Sequence, residues 1–196
     1  MDNSQKIIGF GNKQEITQLV VDDKYINQLI SLPNNPSDLN KLVLLIYNGI
    51  VDNDTQYEKR NLPPDIDDKL DFNNVIIYRF LIESNYSENA YYLDNAYDSL
   101  NTEIPGRKKI FMNYINSLYL QALGNLLKEN PGLKKMEIIN KFADTIISNV
   151  ISSLLISVSK NTADISHLSS ESINLNVITI VCHAFVDCKV LENPNS

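Results

Sequence analysis

Two stretches of this chain carry adjacent apolar pairs that return every four residues, and no other feature constrains the fold as strongly. The first set falls at 110/111, 114/115, 118/119, 122/123 and 126/127. The second falls at 138/139, 142/143, 146/147, 150/151 and 154/155. A repeat of four is helical, because a half-buried strand alternates with a period of two. Each step of four advances about 40° around a helix of 3.6 residues per turn. Over five pairs the apolar stripe must wrap around the helix. Each helix is therefore expected to meet different neighbours at its two ends, as central helices of a bundle do. Pro105 suits the first turn of the first helix, where its missing donor costs nothing, and Pro131-Gly132 ends it after about Asn130.

Shorter helices are expected on either side. Tyr25, Ile26, Leu29 and Ile30 are spaced for one helix, stopped by Pro33-Asn34-Asn35-Pro36. Ser37 caps another that carries Leu39, Leu42, Val43, Ile46 and Tyr47. Asn74 caps a helix with Val75, Tyr78, Leu81 and Ile82 inward, and Ser87 a further one with Ala90, Tyr91, Leu93, Ala96, Tyr97 and Leu100. Ser170 or Ser172 caps the last, with Ile173, Val177, Ile180, Val181, Ala184, Phe185 and Cys188. Before all of these, Lys6-Ile7-Ile8-Gly9-Phe10, Gly11-Asn12 and residues 15–21 read as strand, turn and strand, with a helix over residues 14–20 as the alternative. The expected class is thus mostly all-α. It is an irregular bundle of six or seven helices behind a short extended or hairpin N-terminal arm.

Residues 48–74 form the longest irregular stretch, rich in Asp and holding Gly49, Pro63 and Pro64. An internal boundary is expected there. Residues 1–55 then hold the arm and two helices, and residues 56–196 the helical bundle. At 196 residues with 43% hydrophobic content, the chain can enclose a core without disulfides or metals.

The balance of 17 basic against 24 acidic residues gives a net charge of -7, opposite to the sign needed for broad nucleic-acid binding. DNA contact is expected only indirectly, and a protein partner is favoured. The N-terminus lacks the charged-then-apolar design of a signal peptide, and no uninterrupted apolar run reaches the length of a bilayer span, so a cytoplasmic location is expected.

Chemistry-bearing residues are sparse. Cys182, His183, Cys188 and His167 invite a metal reading, but Cys182 and Cys188 lie about 120° apart on a helix, so core cysteines are the better expectation. A site assembled in space around Cys182 and His183 stays open as an alternative, although neither cysteine adjoins a glycine-rich nucleophile turn. The run Pro64-Asp65-Ile66-Asp67-Asp68-Lys69 has the acids and lysine of a nuclease centre crowded into one loop, without the separated strands such centres use. Asp52, Asn53 and Asp54 lack the Gly and Glu offsets of a calcium loop, and the six glycines build no phosphate loop. No catalytic residue, cofactor or metal is expected.

The basic triplet Arg107-Lys108-Lys109 is more unusual. It opens a long helix, where the helix dipole disfavours cations. Something must offset that cost: a partner's carboxylates, a phosphate backbone, or solvent and nearby Glu103. Arg60, following Lys59, is a second basic contact point. The tyrosines Tyr78, Tyr86, Tyr91, Tyr92, Tyr97, Tyr114 and Tyr119 suit core and interface positions alike.

Several segments together carry a likeness. They are Arg60-Asn61-Leu62-Pro63-Pro64, Lys69-Leu70-Asp71-Phe72-Asn73-Asn74, Ala96-Tyr97, Pro105-Gly106-Arg107-Lys108-Lys109-Ile110 and Asn116-Ser117-Leu118-Tyr119. Ala143-Asp144-Thr145-Ile146-Ile147 and the run from Ala184-Phe185-Val186 through Glu192-Asn193-Pro194 complete the set. Over residues 56–194 they resemble the C-terminal helical domains of ABC three-component systems, relatives of the Lamassu antiphage systems. The resemblance implies a helical module without enzymatic activity that ties an effector, often a nuclease or protease, to an SMC-like ABC ATPase. Residues 1–55 are too short for an ordinary effector domain, which points to a stand-alone form of the module, a small accessory subunit, or an effector subunit represented without its enzyme domain. In that reading Arg60, Arg107, Lys108 and Lys109 contact a partner. The N-terminal arm adds to a partner's sheet edge or pairs with another copy. A small acidic inhibitor or immunity protein encoded by a phage or mobile element is the alternative.

Overall fold

The computed structural model describes residues 37–52, 59–160, 163–187 and 189–194. Expectations for the N-terminal arm, its self-association and the helix around Tyr25 fall outside these residues, as do Asn53, Asp54 and Cys188. The described chain is an all-α irregular bundle. Its helices are α1 (Asp38–Asp52), α2 (Ile66–Phe72), α3 (Arg79–Glu103), α4 (Arg107–Glu129), α5 (Lys135–Ser159) and α6 (Ser170–Val186), with a 3-10 turn at Ala163–Ile165. Pro36–Ser196 form one compact unit. The stretch of residues 48–74, where an internal boundary was expected, takes in the end of α1 and the whole of α2. Leu42, Val43 and Ile46 from α1 and Ile66 and Leu70 from α2 share one core.

The two long paired-stripe helices form as expected. In α4 the inner positions are Phe111, Met112, Ile115, Tyr119, Ala122, Leu123 and Leu126. In α5 they begin with Ile138 and Ile139 and end with Leu154 and Val158. Between them Gly132 adopts φ +102°, a left-handed conformation open to glycine at little cost. The Glu137 carboxylate accepts the Lys134 N–H at 2.6 Å and so caps the start of α5. By length and composition alone α5 is apolar enough to cross a membrane, although Lys135, Glu137, Lys141 and Asp144 interrupt its apolar run. Nine of its residues are enclosed in this core.

The most enclosed element, however, is the shorter α6. From Thr179 to Phe185 its side chains are buried on every face, and it packs against α1, α3, α4 and α5. Its cap is Ser169, whose hydroxyl accepts the Ser172 N–H at 3.1 Å, one residue before the expected Ser170. Ser37 does cap α1, accepting the Asn40 N–H at 3.5 Å.

Three further expectations are corrected. Ser87 starts no new helix; α3 runs unbroken through it, and the Ser87 carbonyl accepts the Arg60 N–H at 3.0 Å. Residues 83–89 are so polar that the apolar stripe fades there, but α3 is held from both sides by packing. Pro105 precedes α4 rather than sitting in its first turn, and Gly106 at φ +88° makes the corner. Finally, the Asp-rich run is helical as α2. Lys69 from it lies buried against the Phe185 ring and donates to the Phe185 carbonyl.

Two short connections are fastened by side chains from elsewhere. Residues 189–192 fold back as a tail in which Val190 and Leu191 are buried. Asn73 accepts the Glu192 N–H at 3.0 Å and donates to the Glu192 carbonyl at 2.7 Å. Asn116 holds the Lys189 carbonyl at 2.9 Å. Tyr119 and Lys135 reach the Glu192 carboxylate at 2.6 and 2.7 Å. Leu191 is kept at φ +61°, a conformation that a leucine adopts only when its surroundings over-determine it. The second connection, residues 73–78, is fastened to α5. Helix α5 departs from helical geometry at Phe142, and Asn74 donates to the Asn140 carbonyl at 2.8 Å. Asp144 accepts the N–H groups of Ile76, Ile77 and Tyr78 at 3.1 to 3.2 Å. One carboxylate thus caps the start of α3 from another helix.

Candidate functional site

The densest gathering of ionisable groups lies where α3, α4 and α6 meet. His183 projects from a fully packed segment of α6 and is 3% exposed. Its Nε2 is 3.3 Å from Asp94 Oδ1 on α3, and its Nδ1 is 3.7 Å from Asp187 Oδ2 one turn later. Nδ1 is buried without a hydrogen-bond partner. Tyr86 and Tyr97 flank the imidazole with ring centroids at 5.6 and 5.8 Å. Lys108 lies 3.9 Å from both carboxylates and 4.9 Å from the centre of the Tyr97 ring. Arg60 closes the cluster on Asp94.

These neighbours set the charge states. The His183 hydrogen bond holds the Asp94 carboxyl below the usual range against the opposing effect of burial, with help from the charges of His183, Arg60 and Lys108. Burial, reinforced by Asp187 and Asp94, pushes the Tyr97 hydroxyl well up, and the nearest partner for that hydroxyl is Met112 Sδ at 3.9 Å. Tyr86 is raised by burial first and by the same carboxylates second. Both phenols are therefore proton holders, unsuited to act as bases.

Of the four basic residues expected at a partner contact, three turn toward the chain's own acids. Arg107 lies 3.4 Å from Asp38 and 2.9 Å from Glu103. Arg60 and Lys108 are engaged as above. The dipole cost at the start of α4 is thus offset within the chain by carboxylates of α1 and α3 and by Asp187 just after α6. Lys109 alone is exposed without a carboxylate partner among the described residues. With Lys108, Lys189, Asn101, Gly106, Met112, Asn113 and Asp187 it lines a pocket of about 410 Å³. Asn101 takes the Lys108 N–H at 3.0 Å, so the first turn of α4 is partly capped from inside.

Cys182 is 3% exposed, its thiol faces the Leu81 carbonyl at 3.9 Å, and burial pushes its pKa up to about 12. A thiolate nucleophile needs the reverse shift. His167 is exposed. No group of three or more His, Cys, Asp or Glu suited to a metal occurs among the described residues. The acids and lysine of α2 also part company. Lys69 enters the core, whereas Asp67 and Asp71 stay outside on Arg79, so they form no nuclease-like centre.

Sequence reading missed Asp94, Asp187, Asp144 and the apolar residues at the surface. The His183–Asp187 spacing of one helical turn was a visible signal; Asp94 is brought in only by the packing of α3 on α6. Large apolar side chains stand exposed singly at Val51, Ile104, Leu120, Leu133 and Leu175, and in two groups. Ile76, Ile77 and Phe80 are 65, 76 and 75% exposed at the fastened connection before α3, with Phe72 beside them in sequence. Ile110, Tyr114 and Ile156 are exposed where α4 meets α5, joined by the Tyr114 hydroxyl at 2.9 Å from Ser157 Oγ. No protein family, curated protein or solved structure matches the chain.

Proposed function

We propose that the chain is a non-catalytic scaffold or regulatory subunit that links an effector to an SMC-like ABC ATPase in a bacterial antiphage complex, acting in the cytoplasm. The observation that carries the binding half of this reading is the pair of exposed apolar surfaces on one compact bundle. From Asp144, which fastens the first surface, to Ile156 in the second is twelve residues of α5, about 18 Å along the axis. Apolar residues held in water at two separate places favour a bridge between partners. The defence assignment rests on the resemblance of residues 56–194. The rival reading, an enzyme around Cys182 and His183, is disfavoured by a thiol raised to about 12 and an imidazole enclosed between two carboxylates. In this proposal Lys109 and Lys189 form a basic rim available to a partner, while Arg60, Arg107 and Lys108 shape the surface from beneath.

Co-expression of the tagged chain with its genomic neighbours, followed by affinity purification and mass determination, tests the proposal. A large ATPase recovered in fixed ratio is the expected result. Recovery of the chain alone overturns it.

A further inference from the structure

The connection before α3 combines two properties that rarely meet. Its backbone is tightly held: Asp144 takes three consecutive N–H groups, Val75 N–H reaches the Leu70 carbonyl at 3.0 Å, and Asn74 sits at φ +54° to make the turn. Its large side chains nevertheless point into water. A loosely attached segment would let these side chains fold down; this one is fixed in the exposed arrangement, so little ordering cost remains on binding. Around it the charge is acidic. Asp67 and Asp71 are exposed at 73% of their side chains, and with Glu83 they surround and outnumber the single Arg79. Asp65 and Asp68 are exposed nearby. Lys141 is the nearest base on α5 and lies over the Phe142 ring at 5.0 Å.

Resting on the scaffold reading, we infer that Phe72, Ile76, Ile77 and Phe80 form a docking knuckle for an amphipathic helix of a partner protein, its apolar stripe flanked by Lys or Arg. The charge decides among occupants. A second copy docking the same face would set carboxylate against carboxylate, and an anionic membrane would meet the same repulsion. The hydrogen bonding decides the partner's conformation. The N–H groups of residues 76–78 are already taken by Asp144, so an added strand has no donors to pair with there. A helix satisfies its own backbone and offers side chains alone.

The test uses the full chain with a fluorescent amphipathic Leu/Lys helical peptide and a Leu/Glu peptide of the same apolar pattern. Anisotropy is expected to show binding of the Leu/Lys peptide, at least about tenfold weaker for Ile77→Ser/Phe80→Ser and weaker again for Asp67→Asn/Asp71→Asn. Equal binding of both peptides, or binding untouched by Ile77→Ser/Phe80→Ser in a variant with wild-type circular dichroism, overturns the inference. So does sedimentation showing a wild-type dimer that Phe80→Ser dissolves, since the occupant is then a second copy. Co-purification separates this inference from the reading beneath it. A neighbour-encoded partner retained by Ile77→Ser/Phe80→Ser removes the knuckle and keeps the scaffold; no partner on the wild-type chain removes the scaffold.

Discussion

The tail at residues 189–192 and the knuckle at residues 73–80 solve the same backbone problem with opposite outcomes for their side chains. The tail and the connection at residues 73–78, from which the knuckle runs into the first turn of α3, are short non-helical pieces whose polar groups are taken by residues from other helices, and each contains a non-glycine residue at positive φ, Leu191 and Asn74. In the tail the fastening serves burial: Val190 and Leu191 join the hydrophobic core. In the knuckle it holds Ile76, Ile77 and Phe80 outside. Apolar residues buried behind hydrogen bonds are explained by stability. Apolar residues exposed on a fixed backbone are not, and that contrast marks the knuckle as a surface kept for something else.

The largest test of this contrast is Val190→Ser. It leaves a void and buries a hydroxyl where the side chain is fully enclosed, so urea unfolding is expected to show a loss of about 3 kcal/mol. Asp144→Ala follows, with about 2 kcal/mol lost, because three N–H groups lose their acceptor but some regain water. Hydrogen exchange should place the damage at residues 76–78 and spare the tail. If exchange rises equally in both, the two regions are one cooperative unit and the contrast fails.

The tail should also be the acid-sensitive member of the pair. Burial pushes the Glu192 carboxyl up, but Lys135 and Tyr119 outweigh it and hold it below its ordinary 4.5. A depressed carboxyl adds stability that is present above 4.5 and lost as pH falls through its lowered value. Protection at residues 189–192, taken relative to the intrinsic exchange rate at each pH, is therefore expected to fall on acidification below about pH 4.5, and Glu192→Gln to flatten that response. The smallest effect belongs to Ile77→Ser: stability within about 0.5 kcal/mol of wild type, measured by thermal unfolding. A loss near that of Val190→Ser would mean that Ile77 is a core residue after all.

How far the sequence foretold this molecule depended on the distance over which each feature is encoded. Helices α4 and α5 were legible because ten apolar pairs keep one local period, and Ser37 because a cap acts within three residues. Helix α3 was divided at Ser87 because its polar residues 83–89 hide a stripe that only packing sustains. Helix α2 was hidden by its aspartates. At the candidate site His183 and Asp187 were readable as one helical turn. Asp94 is nearly ninety residues away from His183, and Asp144 nearly seventy from the amides it holds, so no local pattern announces either. Of the acids around the basic triplet only Glu103 was near enough in sequence to be named; Asp38, Asp94 and Asp187 reach Arg107 and Lys108 through packing.

The central place of α6 has a consequence for biogenesis. Helices α1, α3, α4 and α5 all lay apolar faces on a segment synthesised after them. Helices α4 and α5, and α1 and α3, already pack on each other, but the faces they turn toward α6 stay uncovered on the ribosome until residues 170–186 emerge, so the core closes late. Translation stalled before α6 would release an aggregation-prone fragment instead of a smaller stable bundle.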